Sequence, residues 1–126
     1  MALRYGTAPY LECSSKGDKR FSAFSARLNR YGGKSIEELY QAAKVFEDGS
    51  TGLNWRAAKG RRAVNMAECH ALYANLWEHY LEENPELVNV LLNTTGISDM
   101  FGQAGHCCQA TELWRIRNFL ITDLYG

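Results

Sequence analysis

Apolar positions recur at helical spacing from Ser35 onward, whereas the first thirty or so residues carry only short, turn-bounded apolar runs. The runs Tyr10-Leu11-Glu12-Cys13 and Arg20-Phe21-Ser22-Ala23-Phe24 flank the turn-rich cluster Ser14-Ser15-Lys16-Gly17-Asp18 and predict two or three short strands. Gly32-Gly33 then punctuates the chain. Ser35 followed by Glu38 has the spacing of a capping box, in which hydroxyl and carboxylate satisfy backbone donors reciprocally. Ile36, Leu39, Tyr40, Ala43 and Phe46 make one apolar helical face behind it, ended by Asp48-Gly49-Ser50-Thr51-Gly52. A short helical turn is expected over Trp55 to Lys59, closed by Gly60. From Met66 a longer amphipathic helix carries Cys69, Tyr73, Leu76, Trp77, Tyr80 and Leu81 on one stripe. Asn84-Pro85 reads as an N-cap followed by proline at the first helical position, opening a helix with Leu87, Val88, Leu91 and Leu92. Thr94-Thr95-Gly96 stops it, and residues 96–108 read as a long loop. A last helix runs from about Gln109 to Asp123 with Leu113, Ile116, Leu120 and Ile121 inward. The expected class is α+β: a single helix-rich domain over residues 1–126 with a few short N-terminal strands.

Composition narrows the function classes. The 126 residues hold 46% hydrophobic and 12% aromatic side chains, too many for a disordered chain. Fourteen Lys and Arg balance fourteen Asp and Glu, which excludes nucleic-acid binding through bulk charge alone. No stretch approaches the roughly 20 apolar residues of a membrane helix, and MALRYGTAPY has no signal-peptide core, so no membrane partner and a cytoplasmic setting are expected. The four cysteines show no regular spacing, which argues against a disulfide framework.

Four groups of residues carry candidate chemistry. Glu37 opens the first helix beside Glu38 but does not share its box role; the helix dipole favours a carboxylate there, and a solvated first-turn acid fits the same position. Gln41 lies one turn on, so the two can grip one ligand. Arg56, Lys59, Arg61 and Arg62 fall within seven residues, beside Trp55 and between Gly52 and Gly60. In a neutral chain they create a local positive field suited to a pyrophosphate or nucleic-acid phosphate, although a solvated basic face has the same composition. His106-Cys107-Cys108, with Cys69-His70 and Cys13, lacks the spacing of paired zinc ligands, and neighbouring His and Cys seldom pair as base and nucleophile. No metal site and no cofactor are expected, and Cys13 and Cys69 read as buried small hydrophobes. Asp99, Phe101 and Gln103 offer an acid, an aromatic and an amide that either close over a nucleobase or form a surface excursion with Phe101 tucked into the core.

In order, Phe21-Ser22-Ala23-Phe24, Ser35-Ile36-Glu37-Glu38-Leu39-Tyr40-Gln41-Ala42-Ala43-Lys44, Ala57-Ala58-Lys59-Gly60-Arg61-Arg62 and Asn84-Pro85-Glu86-Leu87 with Leu91-Leu92-Asn93-Thr94 resemble the NADAR family of YbiA-like N-glycosidases. Glu112 to Leu120 is similar to its closing helix, so the resemblance spans about residues 10 to 121. It implies a YbiA-like fold, with Glu37 at the position of the family's catalytic glutamate and with Gln41, Lys44 and Arg61 also matching. Ala23 stands where the family has asparagine, Glu38 where it has histidine, and Asn65 is nearest in register to its active-site tryptophan. Gly102-Gln103-Ala104-Gly105-His106 replaces its glycine- and asparagine-rich segment before the last helix.

The resemblance implies hydrolysis of the N-glycosidic bond of an ADP-ribose-type conjugate, with ADP-ribosyl-guanine in nucleic acid among the substrates. Glu37 would be the catalytic residue, its carboxylate stabilising the transition state or activating water. Gln41, Lys44, Arg56, Lys59, Arg61, Arg62 and Asp99 would bind substrate, with Arg56, Lys59, Arg61 and Arg62 on the pyrophosphate and Trp55 or Tyr40 stacked on the base. The setting it suits is a phage or bacterial cytoplasm. The departures leave a second expectation, a non-catalytic binder that sequesters or senses an ADP-ribose-derived nucleotide, and a third, an interaction module that holds a protein partner through exposed aromatics.

Overall fold

A computed structural model describes residues 2–52, 55–103 and 108–125; the side chains of Trp55, Leu124 and Tyr125 lie outside that description. Strands β1 (Leu3–Gly6), β2 (Tyr10–Glu12) and β5 (Gly96–Asp99) form one sheet, with β3 (Arg27–Leu28) and β4 (Lys34–Ser35) as a separate two-stranded ribbon. Five α-helices are present among the described residues: α1 (Ile36–Ala42), α2 (Trp55–Ala58), α3 (Met66–Glu83), α4 (Pro85–Leu92) and α5 (Gln109–Tyr125). The chain is a small single-domain α+β fold. No helix among the described residues is long and apolar enough to cross a membrane.

The α3 stripe is the centre of the core. Cys69, Tyr73, Leu76, Trp77, Tyr80 and Leu81 are all buried, and Leu87 and Leu91 of α4 join Leu113 and Ile116 of α5 in the same cluster. Leu120 packs at its margin. Cys13 and Cys69 are fully buried within it, as small hydrophobes, and burial pushes both thiols above the usual range.

Three expected elements take another form. The expected loop over 96–108 begins instead with a strand: β5, residues 96–99, is the middle strand of the three-stranded sheet, antiparallel to β1 and parallel to β2. All four of its residues are buried, so no alternation marks it, and its pairing partners lie more than eighty residues away in sequence. Arg20 to Phe24 is not a strand. Asp18 accepts from Arg20 N and pairs with its guanidinium, which opens a 3-10 turn over Lys19–Phe21. The donors of Phe21, Ser22, Ser25 and Ala26 then go to carbonyls three or four residues back, leaving none for a ladder.

Phe46 lies beyond the first helix, which ends at Ala42. Val45 N donates to Asn65 Oδ1 and Phe46 N to Ser50 O, so backbone donors leave the helix there, and Phe46 packs with Ala58 and Ala63 in a second small cluster. Asn84 makes no side-chain cap on α4; its Nδ2 donates back to Tyr80 O and closes α3 instead. Pro85 does begin α4, where its missing N–H costs no helical bond.

Glu12 joins the sheet to the turns on either side. Its carboxylate accepts from Ser14 N (3.0 Å), Met100 N (3.0 Å) and Ser98 Oγ (2.9 Å). Partial burial opposes its charge, but these donors outweigh burial and hold the carboxyl below its ordinary value of 4.5. A depressed native pKa contributes stability that is complete above the unfolded value and lost as pH falls through the native one. Stability should therefore fall as pH drops below the ordinary carboxyl value of 4.5, and Glu12→Gln should flatten that part of a urea-denaturation pH profile. Ile97→Ala, at the buried centre of β5, should cost about 2–5 kcal/mol in the same measurement at neutral pH.

Candidate functional site

The site starts from how α1 begins. Ser35 Oγ accepts from Glu38 N and Glu38 Oε1 from Ser35 N, so the predicted capping box is formed in both directions. The two remaining first-turn donors find carbonyls in the preceding turn: Ile36 N bonds Ala26 O (2.9 Å) and Glu37 N bonds Ala23 O (3.0 Å). The start of α1 is therefore held at both of its unsatisfied donors. Glu37 is only 9% exposed, and its Oε1 accepts from Gln41 Nε2 at 2.9 Å, the one-turn spacing read from the sequence. It is not a solvated first-turn acid.

Two adjoining hollows share Glu37, Lys59 and Tyr73 as walls. The first, about 350 Å³, is lined also by Gln41, Lys44, Arg61 and Arg62. The second, about 430 Å³, is lined also by Phe24, Asp99, Phe101 and Gln109. Both volumes lie in the range of small-molecule sites. Glu37 thus stands where a cation-walled space meets an aromatic one.

The basic segment is fastened to α1 by buried groups. Lys44, 4% exposed, donates from Nζ to Arg61 O (2.8 Å) and Ala58 O (3.3 Å), so it holds the segment while contributing positive charge to the first hollow. Gly60 turns the chain with φ 84°, in the left-handed region that glycine enters without strain. Lys59 lies over the Phe24 ring (4.8 Å) and Arg61 over Phe46 (3.8 Å), each within cation–π reach. Arg62 lines the first hollow; Arg56 is exposed and lines neither. The Trp55 side chain, His106 and Cys107 lie outside the described residues. Tyr40, 7% exposed, packs its ring edge-on to Tyr73 at 5.2 Å and lines the first hollow, which commits it to the core beneath the site rather than to a base.

Asp99 reaches the second hollow but is occupied with the protein. Its Oδ2 accepts from Gln109 Nε2 (2.6 Å) and Cys108 Sγ (3.4 Å), and its Oδ1 from Phe101 N (2.9 Å). Gln109 Oε1 in turn accepts from Ala23 N (3.0 Å), the residue whose carbonyl holds Glu37. One relay therefore links the acid's turn to the wall of the second hollow. The relay has no short-range signature: Ala23 and Gln109 are 86 residues apart. Burial and the neighbouring Asp99 push the Cys108 thiol upward, the opposite of what a thiolate nucleophile needs. Phe101 is 61% exposed and not tucked into the core.

Fold and site together define a small α+β domain with a buried acid between a cationic and an aromatic hollow. No protein-family model and no curated protein matches the chain.

Gly52 sets the spacing between α1 and the basic segment. A Cβ there would fall 1.7 Å from Gln41 O and 3.2 Å from Ala58 Cβ, and the former is backbone that does not yield. Gly52→Ala should therefore lower stability by about 1–3 kcal/mol or more by chemical denaturation. An unchanged midpoint would contradict this packing.

Proposed function

We propose that this chain is an N-glycosidase of the NADAR, YbiA-like kind, hydrolysing the N-glycosidic bond of an ADP-ribose-type conjugate, with ADP-ribosyl-guanine in nucleic acid among its substrates. The observation that carries the reading is the placement of Glu37: a buried carboxylate on the shared wall of two hollows, one of them lined by Lys59, Arg61 and Arg62. The motif order around Ser35 to Lys44 and Lys59 to Arg62 supports it independently.

The chemistry follows from that placement. Water adds to the anomeric carbon of the ribose while the C–N bond breaks. The bonding pair leaves on the base nitrogen, which takes up a proton, and the sugar keeps the hydroxyl. Positive charge develops on the ribose as the bond opens, and a carboxylate beside it either stabilises that charge or takes the proton from water. Glu37 serves this step. Gln41 holds one carboxylate oxygen and so fixes its orientation. Lys59, Arg61 and Arg62 place the pyrophosphate, with Lys44 adding field from beneath. Asp99 and Lys44 act on the ligand through the segments they position.

One observation favours the binding-only alternative. Asn65, nearest in register to the family's tryptophan, bonds Val45 N and Ala43 O (2.9 Å each) and stacks on nothing in either hollow. A pocket lacking that ring would sequester or sense an ADP-ribose-derived nucleotide without turnover.

Chromatography of products from an ADP-ribosylated oligonucleotide separates the two readings. Wild type should release ADP-ribose, and Glu37→Gln, which keeps an acceptor for Gln41, should lower turnover by about 10²–10⁴-fold with the fold intact. Equal background from both proteins ends the N-glycosidase reading; tight binding with that background supports the binder.

A further inference from the structure

Helices α3, α4 and α5 leave a further hollow of about 420 Å³, which shares no lining residue with the two around Glu37. Leu81 of α3, Val88 of α4 and Ile116 and Leu120 of α5 give it an apolar lining. Phe119 also lines it and is 67% exposed, the most exposed large apolar side chain among the described residues. A phenyl ring left in water beside an apolar hollow forfeits burial on both surfaces, and such a patch marks a contact site.

The charges around the hollow argue for what covers it. Glu78 is paired with Arg115 (3.0 Å) and Glu82 with Arg30 (3.2 Å), so a basic partner finds both acids engaged. The same two acids repel an acidic partner. What stays unspent along α5 is one group of each sign. Arg115 donates from Nε to Glu112 and from Nη2 to Glu78, and its Nη1 bonds nothing among the described residues. Asp123 is exposed and has no hydrogen bond or ion pair among them.

Arg115 lies four residues before Phe119 and Asp123 four residues after it, so the three project from one side of the helix. A half-turn about an axis that crosses α5 at Phe119 exchanges the places of Arg115 and Asp123. The face that complements this one, in shape and in charge, is therefore the same face on a second copy.

We propose that the chain forms a two-fold homodimer through α5, which packs antiparallel to α5 of its copy. The two hollows then face each other, the Phe119 rings fill the space between them, and Arg115 of each copy meets Asp123 of the other. The contact uses no lining residue of the hollows around Glu37, so it stands or falls independently of the N-glycosidase reading.

Sedimentation equilibrium of the full chain over a concentration series tests it, with circular dichroism to verify that each variant is folded. Wild type should show a monomer–dimer equilibrium and no larger species, because a two-fold contact closes on itself. Phe119→Ala should weaken the dimer by about 30-fold or more, the loss expected of a central aromatic anchor. Asp123→Arg sets arginine against arginine at both ends of the contact and should weaken it about tenfold or more. Combining Arg115→Glu with Asp123→Arg restores opposite charges across the axis and should recover most of that loss. A wild type that stays monomeric at every concentration overturns the proposal and leaves the face to a different protein. A dimer that Phe119→Ala leaves intact overturns it too, and one that Asp123→Arg does not weaken overturns the antiparallel register.

Discussion

The first backbone N–H groups of α1 find their acceptors outside the helix body, and the position of the candidate acid follows from that. Ser35 takes the third, and the carbonyls of Ala26 and Ala23 take the first and second. A helix start satisfied in this way cannot rotate or slide without orphaning several donors, each costing about 1–3 kcal/mol when buried. Glu37 is carried with it. The acid's burial, its bond to Gln41 and its place between two hollows are all consequences of how the turn over residues 22–26 meets the capping box.

Two further linkages turn that placement into a cleft. On one side Lys44 uses its ammonium to hold the carbonyls of Ala58 and Arg61, so a buried charge fastens a segment rich in other charges. Like charges gathered along one wall repel one another, and the arrangement persists because Arg61 and Lys59 rest on aromatic faces while Lys44 is tied to backbone oxygens. On the other side the chain of bonds from Ala23 through Gln109 and Asp99 to Phe101 sets the aromatic wall at a fixed relation to the acid. A chain with no net charge thereby presents a strongly positive space next to an aromatic one.

Signals confined to a few neighbouring residues were legible in the sequence. The Ser35–Glu38 box, the α3 stripe and Pro85 at the start of α4 depend on residues within one or two turns, and the structure has them where the spacing places them. Glu37 was legible for the same reason, as the first-turn acid that the box does not use. The elements that took another form depend on distant partners. β5 exists because β1 and β2 pair with it, and its four buried residues carry no alternation to announce it. Helix α1 stops short of Phe46 because Asn65, twenty residues on from Val45, captures a backbone donor. Lys44 and Asp99 have the residue types of ligand contacts, but their side chains bond protein groups, Lys44 the carbonyls of Ala58 and Arg61 and Asp99 the donors of Phe101, Cys108 and Gln109. Phe101 fitted both a core plug and an open wall, and only its exposure separates the two.

A crystal structure of the Glu37→Gln protein with ADP-ribose bound tests the central claim most directly. The account predicts the pyrophosphate against Lys59, Arg61 and Arg62 in the first hollow, with the anomeric carbon of the terminal ribose turned toward residue 37 and the second hollow open beyond it. A ligand seated elsewhere on the molecule, or bound with its phosphates in the aromatic hollow, would contradict it.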